Sequence, residues 1–234
     1  MAISAQTDFR QLVGQQEMSI KVFDGYGRDY IKTAGFSPDA FVQMAIQLGT
    51  YRLFGQQVAT YESSQVRSFL HGRTETTRSV SLASHDFVKK MAEPEKNKEY
   101  PTVCQEKISL LRAATWSHSK YLNNASKALG CDRHFFGLSM VVGEDEVAPA
   151  LFQHPVFNRS KHWRVSSSSL RHLPGFGCVV DDGVGIGYNV GPDYIEFTVS
   201  GRSERQWTKA LGRLLEEALL EMKTLNDMDQ CTKQ

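Results

Sequence analysis

Met18, Ile20 and Val22 alternate with Ser19 and Lys21 near the start of the chain. A period of two sends successive side chains to opposite faces, so this stretch predicts a strand. Residues 1–15 carry no clear period and are expected to form a poorly ordered leader. After the strand, Asp24-Gly25-Tyr26-Gly27-Arg28 is punctuated by glycine and predicts a flexible loop, continued from Lys32 to Gly35.

The period then changes. In Ser37-Pro38-Asp39 the serine can cap free amides, proline suits the first helical position, and the carboxylate suits the positive helix end. Apolar residues follow at Phe41, Met44, Ala45, Leu48 and Leu53, which predicts a helix to about Phe54 that Gly55 ends. Further helices are expected at about 82–91, before the polar run Pro94-Glu95-Lys96-Asn97-Lys98, and at about 103–129, stopped by Gly130. The second carries Ile108, Leu111, Thr115, Leu122 and Ala125 on one side. Asp132 is placed to cap a short fourth helix.

From Trp163 onwards strands are predicted at 163–169, 178–181, 185–190 and 194–201. Ser203 with Gln206 reads as a capping box for a last helix carrying Trp207, Leu211, Leu214, Leu215, Leu219, Met222 and Leu225. The order predicts a mixed α/β (α+β) fold, a mixed sheet flanked by helices. No repeat or linker divides it, so one domain is expected over 16–227, with a tail at 228–234.

Composition narrows the classes. With 234 residues, 41% hydrophobic and 23% charged, the chain has the make-up of a soluble globular protein. A net charge of +1 gives no basis for nucleic acid or an acidic membrane as partner. Cys104, Cys131, Cys178 and Cys231 are too widely spaced for a zinc site or a disulfide framework, and reduced thiols in an intracellular protein are expected. No apolar run is long enough to span a bilayer, and no targeting signal is visible. None of the seven histidines sits in a metal-binding frame, so no metal is expected. The absence of G-x-S-x-G and of a P-loop argues against serine hydrolases and nucleoside-triphosphate enzymes.

The densest chemistry lies in residues 61–79, with Tyr61-Glu62-Ser63, Arg67, His71-Gly72-Arg73-Thr74 and Arg78-Ser79. Such a run is either solvated or holds a ligand. Tyr61, Ser63, Thr74 and Arg133 could bind a small carboxylate, or form a buried hydrogen-bond network that fixes a loop. Arg28 and Lys32 could meet phosphate or simply be solvated. Ser166-Ser167-Ser168-Ser169 is unusual inside a strand, because serine is a poor strand former. It is either an exposed strand face or a line of donors.

The blocks Gly27-Arg28-Asp29-Tyr30-Ile31-Lys32, Ser37-Pro38-Asp39-Ala40-Phe41-Val42-Gln43, Thr60-Tyr61-Glu62-Ser63, Gly72-Arg73-Thr74-Glu75-Thr76 and Asp132-Arg133-His134 resemble the carnitine/choline acyltransferase family. Asp182-Gly183-Val184-Gly185-Ile186-Gly187-Tyr188 is similar to its late glycine-rich segment. The likeness runs in order over about residues 16–227 and is to the carboxy-terminal domain of a carnitine O-acyltransferase, with a chloramphenicol-acetyltransferase-like fold. It implies transfer of an acyl group between coenzyme A and the hydroxyl of carnitine, with coenzyme A as co-substrate and no permanently bound cofactor.

Residue by residue, the resemblance puts Arg28 and Lys32 at the coenzyme A phosphates and Asp39 at the following helix start. Arg28 stands where the family usually has lysine. A family arginine falls at Ser119, with Lys120 the expected substitute. Tyr61, Ser63, Thr74 and Arg133 would bind carnitine, with Tyr61, Thr74 and Arg133 matching the group that binds its carboxylate, which favours carnitine over choline. Ser166-Ser167-Ser168 matches a Ser-Thr-Ser motif whose last member, Ser168, stabilises the oxyanion; the glutamine that follows is replaced by Ser169. Phe176 matches an aromatic residue of the trimethylammonium pocket, and the segment from Arg171 to Gly175 is shorter and more glycine-rich than in acetyl-specific members, which leaves acyl chain length open.

The family's catalytic histidine lies in a preceding domain, and no histidine here matches it. The resemblance therefore implies a chain that supplies recognition and oxyanion stabilisation and packs against that domain. The alternative is a noncatalytic coenzyme A or carnitine binding remnant or truncated product. The family's compartments are mitochondrial or peroxisomal, and the cytoplasm fits the absence of a visible signal.

Overall fold

The computed structural model describes residues 2–93, 100–143, 145–169 and 175–231. In chain order the elements are α1 (Ala2–Gly14), β1 (Gln16–Phe23), α2 (Arg28–Thr33), α3 (Pro38–Phe54), β2 (Thr60–Gln65), β3 (Thr74–Arg78), α4 (Leu82–Ala92) and α5 (Tyr100–Ser126). There follow α6 (Asp132–Met140), α7 (Ala150–Gln153), α8 (Pro155–Ser160), β4 (Val165–Ser169), β5 (Val184–Val190), β6 (Ile195–Arg202) and α9 (Thr208–Cys231). The six strands form one mixed sheet in the order β1-β6-β5-β4-β2-β3. The central pairs β2–β4 and β4–β5 are parallel, and β1–β6, β5–β6 and β2–β3 are antiparallel. This is the mixed α/β architecture expected from the order of periods.

Helix α3 is the centre of the molecule. Ser37 Oγ accepts from Ala40 N, Pro38 opens the helix, and Gly55 closes it at φ +69°, a backbone that glycine adopts without strain. Residues 40–50 are all buried, as befits a helix covered on every side. It packs on α9 and α5, and the three helices cover the sheet face that carries Val165, Ile186, Tyr188, Phe197 and Val199, all fully buried. The opposite face is open at β1, where Met18, Ile20 and Val22 are 55%, 66% and 52% exposed. The apolar stripe that predicted this strand thus points away from the helices.

Several expectations are corrected. Ala2–Gly14 is helical where a poorly ordered leader was expected, and α9 continues to Cys231, into the expected tail. Arg28 and Lys32 lie on the short helix α2 and not in a flexible loop. That helix is fixed from outside: Arg28 N and Asp29 N donate to Gly191 O and Pro192 O at 2.8 and 3.0 Å. No strand forms at 178–181, where 179–181 are bend and turn, because Gly183 N closes onto Val180 O to lead into β5. Ser203 starts a 3-10 turn and Gln206 sits at φ +51°, so they form no capping box for α9. Asp132 does not cap α6; the buried carboxylate of Glu75 accepts from Arg133 N at 3.3 Å instead. The run expected at 94–98 and residues 171–174 lie outside the described residues.

Gly27 allows α2 to dock. A Cβ there would lie 2.5 Å from Gly191 O and Tyr194 N and 2.6 Å from Asp193 N, all backbone atoms that cannot step aside. Gly27→Ala is expected to cost about 1–3 kcal/mol by forced overpacking. Urea denaturation checks this as a lower midpoint at unchanged slope.

Candidate functional site

The period of the strands sorts the chemistry onto two faces. Tyr61 pairs with Ser166, Ser166 with Gly185 and Gly185 with Ser200, so these positions share the open face. Glu62 pairs with Ser167 and lies on the helix-covered side. One motif, Tyr61-Glu62-Ser63, is thereby divided between two environments.

On the open face Arg133 reaches back from α6 to β2 and β3. Its Nη2 donates to Tyr61 Oη at 3.0 Å and to Thr74 Oγ1 at 3.2 Å, and its Nε to the Thr74 carbonyl at 3.2 Å. Helix α6 is held in place by Arg78, which forks onto the Asp132 carboxylate at 2.9 and 2.6 Å, donates to Ser160 O and lies 4.6 Å over the Trp163 ring. Arg133 is exposed. Its guanidinium thus faces solvent with two hydroxyls beside it, a geometry that can take a carboxylate.

A cleft of about 920 Å³ opens where the parallel strands β2 and β4 end, a usual ligand position in α/β sheets. Ser63 and Ser168 line it, with Asp39 from the first turn of α3 and Ser119, Asn123 and Ser126 from α5. Arg67 is its one basic lining residue among those described. Lys120, expected to replace the missing arginine, lies elsewhere: it is exposed, with Nζ 5.1 Å from the Trp116 ring centroid.

Behind the cleft lies a buried polar network. His118 of α5, 3% exposed, has Nε2 at 3.0 Å from Glu62 Oε2 and 3.5 Å from Asp39 Oδ2. Tyr188 Oη donates to Asp39 Oδ1 at 2.6 Å and stands 3.1 Å from Glu62 Oε1. Gln43 Nε2 donates to both Tyr188 Oη and Ser167 Oγ, and Gln43 Oε1 accepts from Ser79. Ser167 Oγ in turn donates to Tyr61 O. Burial opposes charge on His118, but the two carboxylates outweigh it and raise its pKa to about 9. Burial also works against the Asp39 anion, yet His118 and Tyr188 hold it below the usual range. Glu62 is pushed up by its deeper burial, with the Asp39 charge adding to this against His118.

The structure therefore gathers Tyr61, Thr74 and Arg133 in one cluster, and Asp39, Ser63 and Ser168 in the cleft. Arg28 is half-buried beside Asp29 and Lys32 is exposed; neither lines the cleft. Ser166 is buried, and Phe176 is half-buried with its carbonyl accepting from Ser200 Oγ, both outside the cleft lining. Sequence reasoning missed the roles of Gln43, Glu62, Arg67, His118 and Tyr188. The signal for His118 was its position in the α5 stripe: between Thr115 and Leu122, at spacings of three and four, it had to face the core.

The family profile Choline/Carnitine o-acyltransferase matches residues 2–217. The chain belongs to the choline/carnitine O-acyltransferase family. It is 39% identical to the mitochondrial carnitine O-acetyltransferase of Saccharomyces cerevisiae over 84% of its own length and 29% of that protein. To the choline O-acetyltransferase of Danio rerio it is 34% identical, over 95% of the chain and 36% of the relative. This acyltransferase-family chain thus spans about a third of the length of the curated relatives it matches. A solved structure described as holo T3CT shares its fold, with a TM-score of 0.51 and 14% identity over 90% of this chain and 46% of that one. Among the described residues of the acyltransferase chain, no helix is long and apolar enough to cross a membrane.

Proposed function

We propose that this chain serves acyl transfer between acyl-coenzyme A and the hydroxyl of carnitine. The observation that carries the reading is the convergence of Tyr61, Thr74 and Arg133: an exposed guanidinium 3.0 and 3.2 Å from two hydroxyls, on three separate elements. A carboxylate entering there gains a charge-assisted bond from Arg133 and donors from both hydroxyls. Choline has no carboxylate to offer, so carnitine is the substrate that uses the cluster.

Coenzyme A is the co-substrate that fits the cleft, with Arg28 and Lys32 on the helix before its rim as the phosphate partners. Ser168, at the cleft, supplies a hydroxyl to the oxyanion that develops as the alkoxide attacks the thioester, worth about 3 kcal/mol of barrier. No histidine lines the cleft among the described residues, and His118 is walled off behind Asp39 and Glu62. The proton of the carnitine hydroxyl therefore goes to a base beyond these lining residues. The exposed Met18, Ile20 and Val22 stripe offers an apolar face on which a further body of protein carrying that base would pack. A second reading, binding without turnover, is favoured by the same lack of a lining histidine among the described residues.

Purified residues 1–234 given acetyl-coenzyme A and carnitine are expected to form no acetylcarnitine above the uncatalysed rate. Measurable transfer would overturn the placement of the base. Calorimetry with carnitine and choline tests recognition separately: equal heats, or none, would remove the carboxylate reading.

A further inference from the structure

We propose that His118 is a positioning residue: shared as a buried imidazolium by Glu62 and Asp39, it clasps α5 to β2 and to the first turn of α3 and so sets the shape of the cleft. Tyr188 Oη has one hydrogen, and its shorter contact, 2.6 Å, commits it to Asp39. Its oxygen is already turned to the Gln43 amide at 3.1 Å. Glu62 Oε1, 3.1 Å from that same oxygen, gains no second hydrogen from it. Two carboxylates thus approach one another with a single hydroxyl proton between them. The group placed to offset the remaining charge is His118 Nε2, 3.0 Å from one and 3.5 Å from the other.

Position makes the charge matter. Asp39 and Glu62 both reach the cleft, and the Asp39 side chain is 29% exposed, whereas that of His118 is 1% exposed. The imidazolium therefore acts on a ligand through the carboxylates in front of it. With Nε2 deprotonated, the two anions repel across β2 and α3, and the rim carrying Ser37 and Ser63 is free to shift. The titratable groups that act on His118 are Asp39 from α3 and Glu62 from β2; from β3, the buried Glu75 is turned instead to the Thr76 and Arg133 amides. The charged contacts of α4 and α9 with α5 lie further along it, Lys90 with Glu106 and Arg112 with Asp229.

The rival occupant of this place is a divalent cation, since ligand atoms of Asp39, Glu62 and His118 lie within 4.8 Å of one another. Against a tetrahedral ion such as zinc, the 3.0 Å approach of nitrogen to oxygen favours the proton, because bonds of about 2.0–2.1 Å would hold the two ligands about 3.3 Å or more apart; an octahedral ion is distinguished by the metal content of the purified protein. The linkage has a definite sign. Raised from 6.5 to about 9, the His118 contribution to stability is complete below pH 6.5 and is lost as pH rises through 9.

The ligand side of the inference rests on the proposed coenzyme A reading, and the test separates the two. In ¹⁵N-histidine-labelled protein, His118 is expected to carry protons on both nitrogens at pH 7.5, with a midpoint near 9 that falls in Glu62→Gln. A neutral ring at pH 7.5, or a stoichiometric metal in the purified protein, would overturn the clasp. Acetyl-coenzyme A, which has no free thiol to titrate, is the binding probe for calorimetry. The parent affinity is expected to fall by up to about fourfold between pH 7.5 and 9.5, the loss set by the fraction of His118 still protonated at a midpoint near 9. His118→Gln should bind weakly at both pH values. An affinity indifferent to pH in a protonated parent would remove the positioning role. Should the parent bind no acetyl-coenzyme A, the substrate reading fails while the NMR titration still decides the clasp. Should His118→Gln not fold, the parent and Glu62→Gln decide it.

Discussion

Gln43→Leu lowers the unfolding free energy by about 2–4 kcal/mol, because it strands three buried polar groups at once. Gln43 is fully buried on α3, donates to Ser167 and Tyr188 at 3.0 and 3.1 Å, and accepts from Ser79 at 2.9 Å. Leucine keeps the bulk but leaves the Ser79 hydroxyl without its acceptor and the Tyr188 and Ser167 oxygens without a donor. Each is out of reach of solvent, so the lost bonds are not replaced by water. Urea denaturation should show a lower midpoint with an unchanged slope. A cost below about 0.5 kcal/mol, the range of an ordinary surface change, would mean that the network carries little. The substitution also reaches the site, since Ser167 is held between Gln43 and the Tyr61 carbonyl and stands between Ser166 and Ser168.

Arg133→Ala reduces carnitine affinity by about 10- to 100-fold, the range of a lost charge-assisted hydrogen bond, and leaves choline affinity unchanged. Stability is expected to change little, because the side chain is exposed and the Arg133 amide still donates to Glu75. Arg133→Lys should recover only part of the loss, since an ammonium cannot fork between Tyr61 and Thr74 as the guanidinium does. Calorimetry on both ligands checks the difference. Equal carnitine affinities in parent and variant would refute the carboxylate role.

Where capping chemistry and apolar period agreed, the elements were legible. The Ser37-Pro38 start and the Gly55 stop bounded α3 to the residue, and the alternation of Ile195, Phe197 and Val199 found β6. The strands β2 and β3 escaped because their buried positions are themselves polar: Thr60, Glu62 and Ser64 in one, Glu75, Thr76 and Thr77 in the other. In β2 a period-two pattern exists in burial but not in hydrophobicity, and in β3 three consecutive polar residues are buried. The Asp132 cap failed because Arg78 of β3 takes the same carboxylate.

By itself, then, the sequence determined the fold class, the long helices and the family, because these rest on local propensity and on blocks of residues in order. It also supplied the members of the hydroxyl and guanidinium cluster, Tyr61, Thr74 and Arg133. Only the tertiary structure decided which side of the sheet each side chain occupies. Neighbours in sequence go to opposite faces of a strand, so Tyr61 and Glu62 part company and Glu62 meets a histidine 56 positions further along the chain. The raised pKa of His118 has the same origin, for it depends on burial and on two carboxylates brought from α3 and β2.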